Sequence, residues 1–388
     1  MWLLRDPLEL TDYQLILPGA LAQLLMFFDG TRDLQQIQRA YQMNFGEPVD
    51  IDIIQDIVTK LDEACLLDNE RSLACRTKLI QSYRALPNRP PSLAGLGYPA
   101  DPHELDTVFQ AYGDGDNLNG WQPWQGRGII SPHIDYFRGG PVYSQVWRRT
   151  QEAVRRADLV IIFGTDHNGS PGQITLTQKA YATPYGVMPT DLALVNTLAE
   201  TLGPGAYTEE LHHRKEHSVE LSAVWLHHIM MADQRSGAHT PPMIPVLCGS
   251  FHHFVIGDQH PADDRQLTHF IETLKESTAG KRVLAVASVD LAHVGPNFGD
   301  KFNMDGDRRE RLAESDATLM EAITLGDADL FFHEIASVED RNRICGFSSI
   351  YLMLRYLGAT QGQVIAYEQC SADAEDTSLV SICGLLLD

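Results

Sequence analysis

The chain has 388 residues, 44% of them hydrophobic and 21% charged, the proportions of an ordinary globular protein with a substantial core. Thirty Lys and Arg against 52 Asp and Glu leave a formal net charge of −22, which argues against gripping a nucleic-acid backbone as the main task. No apolar run approaches membrane-spanning length, and the N-terminus lacks a secretory-signal pattern. Six scattered cysteines without a CxxC fit a reducing compartment, so a cytoplasmic protein with no nucleic-acid or membrane partner is expected.

In chain order, "LPGALAQLLMFF" reads as a helix, Asp29-Gly30-Thr31 as a turn, and the following stretch as a second helix capped by Thr31 or Asp33. Ile54, Ile57, Val58, Leu61 and Cys65 then share one face of a third helix. The arrangement of "DGTRDLQQI" before "IVTKLDEACLLD" resembles the small winged-helix PqqD-like domains, which bind peptides or partner proteins. Residues 1–85 carry 8 Lys and Arg against 13 Asp and Glu, a net of −5, which favours protein over DNA as the partner. We expect a winged-helix-like α+β domain over residues 1–75 and a Pro- and Gly-rich linker over 76–89.

From residue 90 to 388 the rhythm is strand and helix in alternation. "GRGII", "DLVIIFG", "PPMIPVLC", "RVLAVASV", "QVIAYEQ" and "SLVSICGLLL" are short and rich in Val and Ile, several of them apolar throughout. Amphipathic stretches such as "YSQVWRRTQEAVRRA", "EHSVELSAVWLHHIMM" and "DDRQLTHFIETLKEST" lie between them. The expected fold is α/β, a central, mostly parallel sheet covered by helices.

Three strand candidates end alike: one runs into Ser131-Pro132-His133, one into Thr165-Asp166-His167, one into Asp290-Leu291-Ala292-His293. Ligands bind outside the carboxyl ends of strands in open α/β sheets, so these histidines can converge if their strands are neighbours. Imidazole with a thiolate or carboxylate suits zinc, iron or copper. The best thiol is Cys345, just before a glycine and an apolar helix whose N-terminus can lower its pKa; Cys248 competes with it. "HHRKEHSVE" is no zincin motif, since Arg214 stands where HExxH needs glutamate. "DGDNLNG" fails as a calcium loop for want of a closing glutamate.

Read as an ordered set, the motifs of residues 90–388 resemble the Memo family, also called AmmeMemoRadiSam system protein B. "SLAGLGYPADPHELDTVF", "SPHIDYFRGGPVYS", "IIFGTDHNG", "KEHSVELSAVWLHHI", "IPVLCGSF", "ASVDLAHVG", "CGFSSIYLML" and "QCSADAEDTSLVSICGLLL" parallel family segments in order. The resemblance implies a fold similar to class III extradiol dioxygenases, which use non-haem iron. Carried over by position, the family's metal-site residues fall on His133, His167 and Cys345, with Asp290 and His293 beside them and Glu216 and His217 added.

The departures are Ile134-Asp135, Phe137-Arg138 and Thr165-Asp166, which bring two carboxylates and a guanidinium to the expected pocket. Arg138 could clamp an anionic substrate, and Asp135 or Asp166 could orient an imidazole; equally, Asp135 and Arg138 could pair with each other. The expected function is a metal-dependent redox protein, an iron or copper oxidase or dioxygenase-like enzyme acting on a small molecule or peptide. His293 or His217 would move protons and Asp290 would orient one of them. Asp135, Arg138, Asp166 and Glu216 are candidate substrate contacts. The N-terminal domain would recruit a partner protein of a radical-SAM-associated system. A peptide- or phosphopeptide-binding module without catalysis and a metal-dependent hydrolase, with zinc as the metal, are the competing readings.

Overall fold

The structure is a computed structural model that describes residues 1–233, 240–257 and 259–388. It divides into two compact units, Met1–Leu86 and Pro87–Asp388.

The first unit begins with two short antiparallel strands, β1 (Trp2–Leu4) and β2 (Leu15–Leu17). Four helices follow: α1 (Gly19–Ala22), α2 (Leu34–Phe45), α3 (Ile51–Glu63) and α4 (Glu70–Ala85). The helix expected over "LPGALAQLLMFF" is only one turn long, because the chain tightens into a 3₁₀ stretch at Gln23–Phe27. Asp33 caps α2: its carboxylate accepts from the Gln36 amide while the Gln36 side chain accepts from the Asp33 amide. Leu15, Leu17, Leu24, Ile37 and Tyr41 close a core with Ile54, Ile57 and Leu61 of α3. The expected linker 76–89 is mostly helix, since α4 runs to Ala85; the break comes at Leu86, where the following proline disfavours helical backbone.

The second unit holds strands β3 (Gly128–Ser131), β4 (Leu159–Thr165), β5 (Ile174–Leu176), β6 (Tyr181–Thr183), β7 (Gly186–Met188), β8 (Met243–Cys248), β9 (Val283–Ser288), β10 (His293–Val294), β11 (Gly362–Ser371) and β12 (Leu379–Leu387). Its helices are α5 (Pro102–Tyr112), α6 (Tyr136–Arg149), α7 (Gln151–Arg156), α8 (Leu192–Leu202), α9 (Ser218–Asp233), α10 (His252–Ile256), α11 (Arg265–Ser277), α12 (Gly306–Thr324), α13 (Ala328–Ser337) and α14 (Phe347–Leu357). No helix among the described residues is long and apolar enough to cross a membrane.

Eight strands form one sheet in the order β10-β12-β3-β9-β4-β8-β5, with β11 also paired to β12. The β3-β9-β4-β8 centre is parallel. Strands β12 and β5 run against it, and β10 and β11, antiparallel to β12, return to its direction. The fold is therefore α/β with a mostly parallel central sheet.

Side-chain alternation explains why the central strands are apolar throughout. Leu159, Ile161 and Phe163 of β4 face one core together with residues of α8, α11, α13 and α14, whereas Val160 and Ile162 face the other with residues of α5, α6 and α9. Glycine permits two close approaches in that second layer. A Cβ on Gly139 of α6 would stand 2.5 Å from Ile134 Cγ2, and one on Gly164 of β4 would stand 2.6 Å from Ser218 Oγ at the start of α9.

Candidate metal centre

Strands β3, β9 and β4 are consecutive neighbours, and their parallel register aligns Ser131 with Ser288 and Ser288 with Gly164. The segments that leave their carboxyl ends, with His133, Asp290 and His167, therefore emerge side by side. This is where open α/β sheets place ligands.

His133 is 1% exposed and held on two sides. Its Nδ1 donates to the Ser288 carbonyl at 2.9 Å, which leaves Nε2 with a lone pair. Its own amide and that of Ile134 donate to Asp290 Oδ1 at 2.9 and 3.0 Å, and Asp290 Oδ2 lies 3.7 Å from Nε2.

Glu216, just before α9, organises the other two histidines. One oxygen accepts from the amide and Nδ1 of His167 at 3.1 and 3.0 Å. The other accepts from the amides of His217 and Ser218 at 2.8 and 3.0 Å and lies 3.1 Å from His217 Nδ1. Ligand atoms of His133, His167 and His217 all lie within 4.8 Å of one another, with the His167 and His217 rings stacked at 4.9 Å.

Cys345, just before α14, completes the cluster. Its Sγ lies 3.2 Å from His133 Nε2 and 3.4 Å from His167 Nε2. Its amide donates to the Leu291 carbonyl, tying the cysteine to the segment that follows β9. The competing thiol, Cys248, is fully buried in the strand β8, and burial pushes it up to about 12.

The electrostatics favour a charged thiol. Burial alone would raise the Cys345 thiol, but the adjacent His133 and His167 outweigh it and bring it down to about 6. Burial lowers His133, with Cys345 opposing. His167 goes the other way: burial disfavours its charge, yet Cys345 and Glu216 raise it well above the ordinary imidazole range. Burial works to raise Glu216, but His167 and His217 hold it well below the usual carboxylate range. The side chains of His167 and His217 are 36% and 37% exposed, so the cluster opens to solvent on their side and is closed on that of His133.

The remaining candidates supply no donor atom to this cluster of three imidazoles and a thiol. His293 sits past Asp290 with its ring edge-on to Phe298 and its amide bonded to the Asn342 carbonyl. Asp290 contacts His133 and its backbone rather than orienting His217. Asp135 caps α6 and pairs with Arg138 at 2.6 Å, while Arg138 Nη1 donates to the Ser371 carbonyl. Neither Asp135 nor Asp166 orients an imidazole of the cluster. The buried Asp166 carboxylate is engaged by His212 Nδ1 at 2.8 and 3.0 Å, because its side chain turns away from the cluster toward the 3₁₀ turn Glu210–Arg214. Asp166, Glu209 and His212 form a second group whose ligand atoms fall within 4.8 Å of one another, with Glu209 accepting from Ser170.

Residue-by-residue reading did not single out His217, because it follows a loop rather than a strand; its signal is the EHS segment of the family pattern. Residues 89–386 match the family described as "Memo-like protein". A MEMO1 family protein of Aquifex aeolicus is 26% identical over 388 residues, covering 99% of this chain and 95% of its own. One of Methanococcoides burtonii is 27% identical over 67% of this chain and 86% of its own. Among solved structures, an uncharacterized protein, JW3007, of Escherichia coli K12 matches with a TM-score of 0.36 and 16% identity, over 67% of this chain and 99% of that one.

Proposed function

The chain belongs to the Memo-like protein family, and from that premise we propose that His133, His167 and Cys345 hold one transition-metal ion, iron before copper or zinc, in a redox enzyme. The observation that carries this reading is the convergence of three donor atoms, two imidazole Nε2 and one thiol drawn toward thiolate. The other ring nitrogen of each histidine is already spent on a carbonyl or a carboxylate. Ligating imidazoles are held in this way, and the donor set suits all three metals. A bound iron or copper would supply a redox-active Lewis acid with room for O₂ or substrate on the exposed side.

The chain's own residues do the rest. Ser288 and Asp290 fix His133 rigidly at the closed end, and Glu216 fixes His167 and His217 through their backbone amides as well as their rings. His217 lies against the open side, where its Nε2 can give a proton to, or take one from, a bound small molecule or peptide. Burial lowers His293 with Asp290 opposing, which favours its neutral form, and it is the second imidazole that could move a proton. Arg138 shares its guanidinium between Asp135 and Ser371, so an anionic substrate group would meet a guanidinium already fixed in place. For the first unit we propose a PqqD-like role, recruiting a peptide or a partner of a radical-SAM-associated system; its separate core and net acidic charge support protein contact.

Anaerobically purified and reconstituted protein should carry about one iron or copper per chain, and His133→Ala and Cys345→Ser should each lower that content sharply. Absence of metal in wild type and His133→Ala alike would overturn the proposal. Zinc with O₂-independent turnover would move the reading to a hydrolase.

A further inference from the structure

A cavity of about 400 Å³ opens beside the segment 338–345, and none of His133, His167, His217 or Cys345 lines it. One wall is a face of α12: Arg308, Arg311, Leu312 and Ser315 recur at the spacing that stacks side chains along one side of a helix. The floor is apolar, built from the buried Val294, Met304 and Leu312. Phe302 adds an aromatic wall, with the Arg308 guanidinium 5.1 Å from its ring centre. Arg341 and Asn342 face the pocket from the segment that leads to Cys345.

The charges around this pocket are unevenly committed. Arg308 pairs with Asp305, and Asp300, the carboxylate in the lining, pairs with Arg343. Arg311 and Arg341 have no carboxylate partner among the described residues. Both guanidinium groups are solvent-exposed and stand at the rim of an apolar floor, in a chain whose net charge is −22.

The backbone that presents Arg341 is also held in a costly shape. Glu339, Asp340 and Arg343 have φ of +54°, +47° and +53°, in the left-handed region that side chains other than glycine avoid. The surroundings enforce it: Arg343 donates to the His293 carbonyl, Asp340 accepts from the Ile344 amide, and the Asn342 carbonyl accepts from the His293 amide. Strain of this kind persists where the surrounding structure over-determines it, and it gathers at ligand-binding positions.

We propose that this cavity is a binding site for a small anion with an apolar body. Its head group would lie between Arg311 and Arg341, and its body over Val294, Met304, Leu312 and Phe302. The volume falls in the range of small-molecule sites, and guanidinium groups match carboxylate or phosphate oxygens.

The test is isothermal titration of the full chain, stripped of metal with a chelator so that the histidine cluster offers no competing Lewis acid. The probes are 4-phenylbutyrate and phenyl phosphate; acetate, inorganic phosphate and 4-phenylbutanol supply the head groups and the apolar body alone. At least one of the two probes should bind once per chain, roughly tenfold or more tightly than its separate parts. The double variant Arg311→Glu/Arg341→Glu should weaken that binding by roughly tenfold or more with an unchanged melting temperature. Arg341→Ala should give a smaller loss, and His133→Ala none. If neither probe binds, or binding survives the double variant, the proposal fails, whatever the metal analysis shows.

Discussion

At the scale of single residues, Glu216 carries the most. It accepts from three backbone amides and faces the Nδ1 atoms of two imidazoles, so both of its oxygens must act as acceptors. Glutamine at this position would turn an amide N–H toward donors. Glu216→Gln should therefore weaken metal affinity about 10–100-fold, as loss of a ligand-orienting carboxylate does, while the fold is kept. A chelator-competition titration measures this, and an unchanged affinity would remove Glu216 from the site. Asp316 of α12 provides a contrasting case of a carboxyl buried without a cation. It is fully buried, with the Tyr367 hydroxyl donating to it, and burial raises it from 3.8 to about 6. Because the folded value lies above the unfolded one, the folded state binds the proton more tightly. Its contribution is fully present below about pH 3.8 and is lost as the pH rises through about 6. Asp316→Asn mimics the protonated form. It should stabilise the protein by up to about 3 kcal/mol at pH 8, and the gain should fade toward pH 4 in denaturation curves.

At the scale of elements, the buried ion pair between Arg89 and Glu220 anchors the start of the second unit. Arg89 is fully buried; besides its pairing with Glu220 in α9, it donates to the carbonyls of His213 and Glu216. Glu220 also accepts from the amides of Ser92 and Leu93 and from the Tyr98 hydroxyl. The extended segment after Pro87 is thus fastened to α9 close to the residue that orients His167 and His217. Arg89→Met would leave Glu220 charged and buried without its cation, which should cost about 3–5 kcal/mol. Urea denaturation gives the value, and a loss under about 1 kcal/mol would mean that the hydrogen bonds alone hold the segment. This anchor was not legible in the sequence, because a pair 131 positions apart leaves no periodic trace. The strands were legible, since two buried faces make β3, β4, β8, β9 and β12 almost continuously apolar. Three strand ends with histidines were legible too, but the neighbour order β3-β9-β4 that brings His133 and His167 together is a property of topology. His293 differs from the other two in a way the shared strand-end pattern does not convey: it follows β9 by five residues, far enough for the chain to pass Asp290 and start β10. Asp166 was placed correctly at a strand end, yet its side chain serves His212, a direction that sequence spacing does not encode.

At the scale of the whole molecule, the two units have separate apolar cores, and every residue of the histidine–cysteine cluster belongs to Pro87–Asp388. The first unit is small and buries correspondingly little apolar surface, so its intrinsic stability should be the lower of the two. A metal that binds only the folded second unit stabilises that unit alone, by about 2.7 kcal/mol at a free concentration one hundred times the dissociation constant. Calorimetry of the full chain should then show two transitions, of which saturating metal moves only the higher. Residues 87–388 expressed alone should bind metal with unchanged stoichiometry, while residues 1–86 bind none. A single transition shifted as a whole by metal would instead mean that the units unfold together, and the first unit would have to be read as part of the metal centre's support. Under the two-transition outcome, recruitment and chemistry are thermodynamically separable, so loss of a partner through substitutions in residues 1–86 should leave metal content and the stability of the second unit untouched.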